Sequence, residues 1–197
     1  MSAVPTLPAV LRDATRQLHH LLDHHVLLAP LLRADLDHLA YRAALRALHA
    51  INAPLEARLA DYLAARHPAF DYAGRRRADA LAADIRWLGG EPPPPAWDGP
   101  AIRNDAELAG CLYVIEGSNL GGQVIYRQVA ERLGVTPEGG GRYFHGHGGR
   151  AREVWDDFWH FAATICPPDA HGEAAAAAAG LFGDYLRLLD ACPGEAA

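Results

Sequence analysis

Glu116-Gly117-Ser118-Asn119-Leu120-Gly121-Gly122-Gln123 sets three glycines inside a stretch that otherwise reads as a strong helix. Residues 108–115 before it and 124–133 after it are apolar-rich and carry no turn signals. A glycine in a helix interior costs about 1 kcal/mol relative to alanine, so three cost roughly 3 kcal/mol. A chain that accepts this cost needs side chains to be missing there. Gly117 and Gly121 are four residues apart and share a helix face, whereas Gly122 lies about 100° further round. Two uses are open. One is close helix–helix packing through a Gly-x-x-x-Gly face; the other is a kinked helix that presses bare backbone against something flat.

The rest of the chain bounds the choice. Its 197 residues, half of them hydrophobic, predict one globular domain over residues 1–197 with a full core. A net charge of −6 argues against nucleic acid as a general partner. No run approaches the roughly 18 apolar residues of a membrane span. Met1-Ser2-Ala3-Val4-Pro5 lacks the basic and apolar segments of a secretory signal. Cys111, Cys166 and Cys192 are widely spaced with no Cys-x-x-Cys, which fits a reducing cytoplasm and not a disulfide framework.

Helical signals dominate, and the predicted fold class is all-α. Leu11, Thr15, Leu18 and Leu22 form one stripe at helical spacing. A second amphipathic run covers residues 36–51, and Pro54 is placed to begin a new helix containing Leu55, Leu59 and Leu63. Residues 74–88 predict a further helix ended by Gly89-Gly90, with Pro92–Pro95 as an extended spacer. Asn104 or Asp105 caps the glycine-bearing helix and Gly134 ends it. Residues 139–149 read as a loop, followed by helices over 150–165 and 168–190. Arg75-Arg76-Arg77 reads as a solvated helix start or as part of a docking patch for an acidic partner.

Helix geometry separates the histidines. With Leu11 at zero and 100° per residue, His19 lies at about 80° and Arg12 at about 100°, both on one shoulder of the buried stripe. His20 points to solvent at about 180°. Arg12 precedes His19 by about 10 Å along the axis. An imidazole and a guanidinium so spaced suit an iron porphyrin, with nitrogen on the metal and the cation on a propionate. A hydrogen-bonded boundary histidine and a solvated arginine are the alternative. The pairs His20/His24 and His145/His147 have zinc-like spacing without carboxylate or cysteine partners, and read as surface residues.

Leu11-Arg12-Asp13-Ala14-Thr15-Arg16-Gln17-Leu18-His19 resembles the opening helix of the biliverdin-producing heme oxygenases, and the Glu116–Gln123 stretch resembles their distal helix. The Tyr143-Phe144 loop followed by Trp155-x-x-Phe158 is similar to the bacterial branch found beside bacteriophytochromes. The resemblance implies a single-domain helical fold in which heme is substrate and cofactor. O₂ and electrons from an external donor, a ferredoxin- or flavodoxin-type protein, then yield biliverdin, CO and Fe²⁺. It further implies His19 as axial ligand of the iron and Gly117, Gly121 and Gly122 as the distal wall. Arg12 would be a propionate partner, with Tyr113, Arg150 and Arg152 as further candidates. Many members carry Asp where this chain has Ser118, while some bacterial ones share Gly-Ser-Asn-Leu-Gly. Ser118, Asn119 and Gly121 are therefore the candidate catalytic positions, with Asn119 and backbone carbonyls as alternative organisers of water. Ser118 has a competing use, a bond back to the carbonyl four residues earlier. A heme carrier or sensor without turnover is the second reading, and a heme-free packing protein the third. A thiamin-degrading helical enzyme would need Cys111 as a nucleophile with an acid–base partner, and none is evident.

Overall fold

The computed structural model describes residues 5–192; residues 1–4, which bear on the signal-peptide expectation, lie outside them. Seven α-helices follow in order: α1 Leu7–Asp23, α2 His38–Arg66, α3 Ala78–Trp87, α4 Asp105–Leu133, α5 Arg142–His145, α6 Ala151–Ile165 and α7 His171–Ala191. Among the described residues there is no strand, only an isolated bridge beside Thr136, and no helix is long and apolar enough to cross a membrane. The predicted stripe of α1 is present, with Leu11 and Thr15 buried and Leu18 and Leu22 packed at the core's edge. α1 and α4 both lie along α7 and scarcely touch each other. α7 is thus the shared support of the two helices that carry the candidate residues.

Pro54 does not begin a helix. α2 runs through it unbroken. A proline removes one i→i−4 hydrogen bond and leaves the carbonyl of residue i−4 without its usual donor. Here that carbonyl is Ala50 O, and the Ala96 N–H supplies the bond at 2.9 Å. The Trp97 indole donates to the next carbonyl, Ile51 O, at 3.0 Å. The segment after the proline spacer therefore repairs the gap that Pro54 opens. Gly99, at φ +82, lies where a Cβ would stand 2.8 Å from Pro54 O, so only glycine brings the chain that close.

The predicted helix over 74–88 is also corrected. Residues 73–75 form a separate 3₁₀ turn, and α3 starts at Ala78. No residue next to α3 caps it. The buried Glu56 carboxylate of α2 instead accepts the N–H groups of Arg77, at 2.9 and 3.1 Å, and Ala78, at 3.0 Å. Asp84 of α3 does the same for α5, accepting from Arg142 at 3.1 Å and Tyr143 at 2.8 Å. α5 was part of the predicted loop, and this remote cap explains why four residues hold a helical turn there. Burial raises the pKa of both carboxyls, opposed by these hydrogen bonds.

α4 begins as the sequence implies, with the Asn104 side chain accepting from Glu107 N–H at 3.0 Å. It ends at Gly134 in the left-handed region, φ +67. It runs unbroken through all three glycines of the quoted stretch. Its first half is buried almost residue for residue, from Ala106 to Glu116 with only Tyr113 partly exposed.

Candidate functional site

The glycines of α4 have different neighbours. A Cβ on Gly121 would meet no atom within 4 Å. One on Gly117 would make only an ordinary contact with the Trp155 ring at 3.5 Å. Close helix packing explains neither residue. Gly122 is buried, and a Cβ there would stand 3.3 Å from Phe144 O, so the approach it permits is to the chain's own α5. The open face of α4 is therefore a stripe of Tyr113, Gly117, Leu120, Gly121 and Val124, with Val124 exposed. Tyr113 continues it into a partly buried aromatic group, its ring centroid 6.0 Å from Trp155 and 5.9 Å from Trp159.

His19 is exposed on α1, on the shoulder that its helical angle predicts. Its Nδ1 lies 2.9 Å from Asp23 Oδ2 one turn later, and its ring stands 5.8 Å from the Phe182 ring of α7. A carboxylate on Nδ1 fixes the tautomer and leaves Nε2 as a free lone pair, the arrangement common to metal-binding histidines. The i, i+4 spacing of His19 and Asp23 is the signal of this pair in the sequence. Arg12 is exposed and without a partner among the described residues, as a guanidinium awaiting an anion would be. Arg150 is exposed at the start of α6, and Arg152 is exposed and paired with Asp156 at 3.1 Å.

Ser118 does not bond four residues back. Its hydroxyl donates to Ile115 O, three residues earlier, at 2.6 Å, and accepts from Arg77 Nη2 at 2.6 Å. Asn119, by contrast, is buried with its Oδ1 unpartnered. Among the described residues, Arg77 Nε and His147 Nε2 are also buried and unpartnered, as is the more distant His49 Nδ1. Asn119 Oδ1 stands 2.8 Å from the Cβ position of Gly146, the neighbour of His147. The pKa of His147 is lowered, first by burial and then by the charges of Arg77, Arg75 and Arg150. Three polar atoms short of a partner thus gather beside the glycine segment. Buried polar groups are rarely left unsatisfied, and water or ligand ordinarily completes them.

The arginine run is neither solvated nor a docking patch as a whole. Arg77 is buried, and Arg75 is nearly so, bonding Glu116 Oε2 at 3.3 Å and Val154 O at 3.0 Å. Arg76 alone is substantially exposed. Sequence spacing carries no signal for a contact between Arg77 and Ser118, which are 41 residues apart. Cys111 is buried and its thiol is pushed up to about 12 by that burial, which works against the thiolate a cysteine nucleophile needs. No group of three or more His, Cys, Asp or Glu side chains among the described residues is placed to hold a metal. The His20 and His24 rings stack at 4.2 Å without further ligands. Shallow depressions near the C-terminal end of α2, lined by His67, Phe70 and Phe161 or by Arg58, Tyr62 and Arg103, contain none of the unpartnered polar atoms.

The fold is that of known heme oxygenase structures. The Neisseria meningitidis heme oxygenase, solved with NO and CO bound, superposes with a TM-score of 0.77 over 98% of this chain and 94% of that one, at 24% identity. The heme oxygenase of Leptospira interrogans gives 0.73 over 95% and 100%, at 16% identity. At such identities the likeness speaks for the fold. A curated relative from Xanthomonas campestris pv. campestris, named heme oxygenase, is 39% identical over 101 residues, 51% of this chain and 59% of that protein. The aligned stretch thus falls short of two thirds of that relative. The family model described as heme oxygenase matches residues 6–191, nearly everything the structure describes. The chain belongs to the heme oxygenase family.

Proposed function

We propose that this protein is a heme oxygenase in activity as well as family. The observation that carries the reading is Gly121: a glycine inside a long helix, with no protein atom near its missing side chain, beside buried polar atoms that lack partners. A flat, ring-sized ligand accounts for both. The donor set fits heme. His19 Nε2 would take the iron, with Asp23 holding the imidazole from Nδ1. Arg12 would pair with a propionate, and Tyr113 and Arg150 are the further candidates for that end of the ligand. Gly117 and Gly121 would leave bare backbone against the ring face. Bound there, heme supplies the iron at which O₂ and external electrons open its own ring to biliverdin, CO and Fe²⁺.

The chain's own part is positional and electrostatic. Asn119 Oδ1 and His147 Nε2 would hold water near the distal face and so offer protons by way of water, not from a strong acid. The lowered pKa of His147 keeps its imidazole neutral, so Nε2 can accept from water or donate to it according to its tautomer. Electrons would come from a ferredoxin- or flavodoxin-type donor. A bacteriophytochrome link rests on the Tyr143-Phe144 and Trp155-x-x-Phe158 likeness alone. Three free thiols support a cytoplasmic setting. The carrier or sensor reading has one observation in its favour, the commitment of the Ser118 hydroxyl to Ile115 and Arg77.

An absorption titration with hemin tests the site. Stoichiometric growth of a Soret band is expected, with loss of the histidine-ligated spectrum in His19→Ala. A spectrum and turnover unchanged in His19→Ala would remove His19 from the role.

A further inference from the structure

Arg77 reaches the start of the glycine segment of α4, while Gln123 bonds His145 O at its far end. It leaves the chain just before α3 and passes its guanidinium beneath α4. Nη2 donates to Ile115 O at 3.0 Å and to Ser118 Oγ at 2.6 Å, and Ser118 Oγ donates to the same carbonyl. The three groups close a triangle at the point where buried helix gives way to glycine helix. The guanidinium is itself held. It lies 4.8 Å over the Tyr143 ring, whose hydroxyl accepts from Asn52 Nδ2 at 2.9 Å, while Asn52 Oδ1 accepts from the Tyr185 hydroxyl. Asn52 belongs to α2 and Tyr185 to α7, so α4 and α5 touch this side chain and α2 and α7 hold it through Tyr143. The Arg77 backbone N–H is fixed too, by the Glu56 carboxylate.

The geometry points to Arg77 as a positioning residue that anchors the distal glycine segment and commits the Ser118 hydroxyl to the helix. Asn119 and His147, not Ser118, are then left to present polar atoms to the site. A glycine-rich helical turn has little propensity of its own to hold a direction. One fixed carbonyl and one fixed side chain at its start supply what the glycines lack. The fork matters as well as the charge: a lysine ammonium carries the charge without the planar donor set. The second readout below rests on the heme reading, and the first does not.

The test compares the full-length wild type with Arg77→Lys, Arg77→Met and Ser118→Ala. In the heme-free protein, amide hydrogen exchange at residues 119–123 should speed by about tenfold or more in Arg77→Met, corresponding to the loss of roughly one charged hydrogen bond. Ser118→Ala should leave it near the wild type, because the bond to Ile115 O persists. Unchanged exchange in Arg77→Met overturns the anchoring. In the hemin complexes, the acid–alkaline spectral transition should move up by at least about one pH unit in Arg77→Met and by less in Arg77→Lys, with Ser118→Ala close to wild type. A midpoint equal to wild type in Arg77→Met, or a shift in Ser118→Ala as large as in Arg77→Met, contradicts the assignment. A wild type that forms no Soret band defeats the heme reading instead, and the exchange data still decide the role of Arg77. Should Arg77→Met fail to fold, by circular dichroism, Arg77→Lys carries both measurements.

Discussion

Gly110 and Gly121 stand about three turns apart on the same helix, and they are glycines for opposite reasons. A Cβ on Gly110 would lie 2.2 Å from Ala174 O and 3.0 Å from the Ala177 methyl, so α4 and α7 touch backbone to backbone there. A Cβ on Gly121 would touch nothing. The first half of α4 is core, closed by contact with α7. The second half is open along its glycine face, with Asn119, Gly122 and Val129 buried on its other sides. Within one helix, then, a glycine that the fold requires can be told from a glycine that the fold does not require. Gly180 and Gly183 of α7 are open in the same way, so it is the place of Gly121 beside the unpartnered Asn119 and His147 atoms that calls for a ligand.

The sharpest way to break this comparison is one substitution made at both places. Gly110→Ala forces apart two helices whose backbones are already in contact. Overpacking costs about 1–3 kcal/mol, and a carbonyl in the way puts this site at the upper end, read as a lowered denaturation midpoint in urea. Gly121→Ala should do the reverse, raising stability by up to about 1 kcal/mol through helix propensity alone. Equal destabilisation at the two sites would mean that Gly121 has a packing role as well. Gly121→Phe sharpens the contrast in another direction. The fold should survive, while hemin affinity falls by tenfold or more; hemin binding at wild-type strength would show that this face is not where the ligand lies.

A smaller effect separates the halves by pH. Burial lowers the pKa of His147 below its ordinary 6.5, so the folded chain binds that proton less tightly than the unfolded one. Stability from this group is complete above 6.5 and declines as pH falls through 6.5 towards the folded value, by at most about 1.4 kcal/mol per pH unit. His49, lowered for the same reason, adds to the decline. His147→Gln should flatten the slope in part, in unfolding curves taken from pH 7.5 down to 5.5. An unaltered slope would mean that His147 is as solvated folded as unfolded.

What was legible in the sequence was whatever depends on neighbours along the chain. The α1 stripe, the shoulder position of His19, the Asn104 cap and the Gly134 stop are local, and helical periodicity reports them. The relation of Gly117 to Gly121 was legible for the same reason. Pro54 was misread because its lost hydrogen bond is made good by Ala96, forty-odd residues away, and no local signal announces that repair. α5 was read as loop because its cap is Asp84, on another helix. Gly110 carries no signal in its apolar run, although among the described residues it is the glycine with the tightest neighbour. Three consecutive arginines read as a solvated helix start or a docking patch, and nothing local marks Arg77 as different. Only the fold shows that one of them runs inward to Ser118.

Heme is expected to be bound and opened at the open glycine face of α4, with His19 Nε2 on its iron. This is tested most directly by adding hemin and then ascorbate, or a ferredoxin–reductase pair, in air and following the absorption spectrum. A Soret band that decays into the broad red absorption of biliverdin is expected. A Soret band that persists, with heme recovered intact, would contradict it.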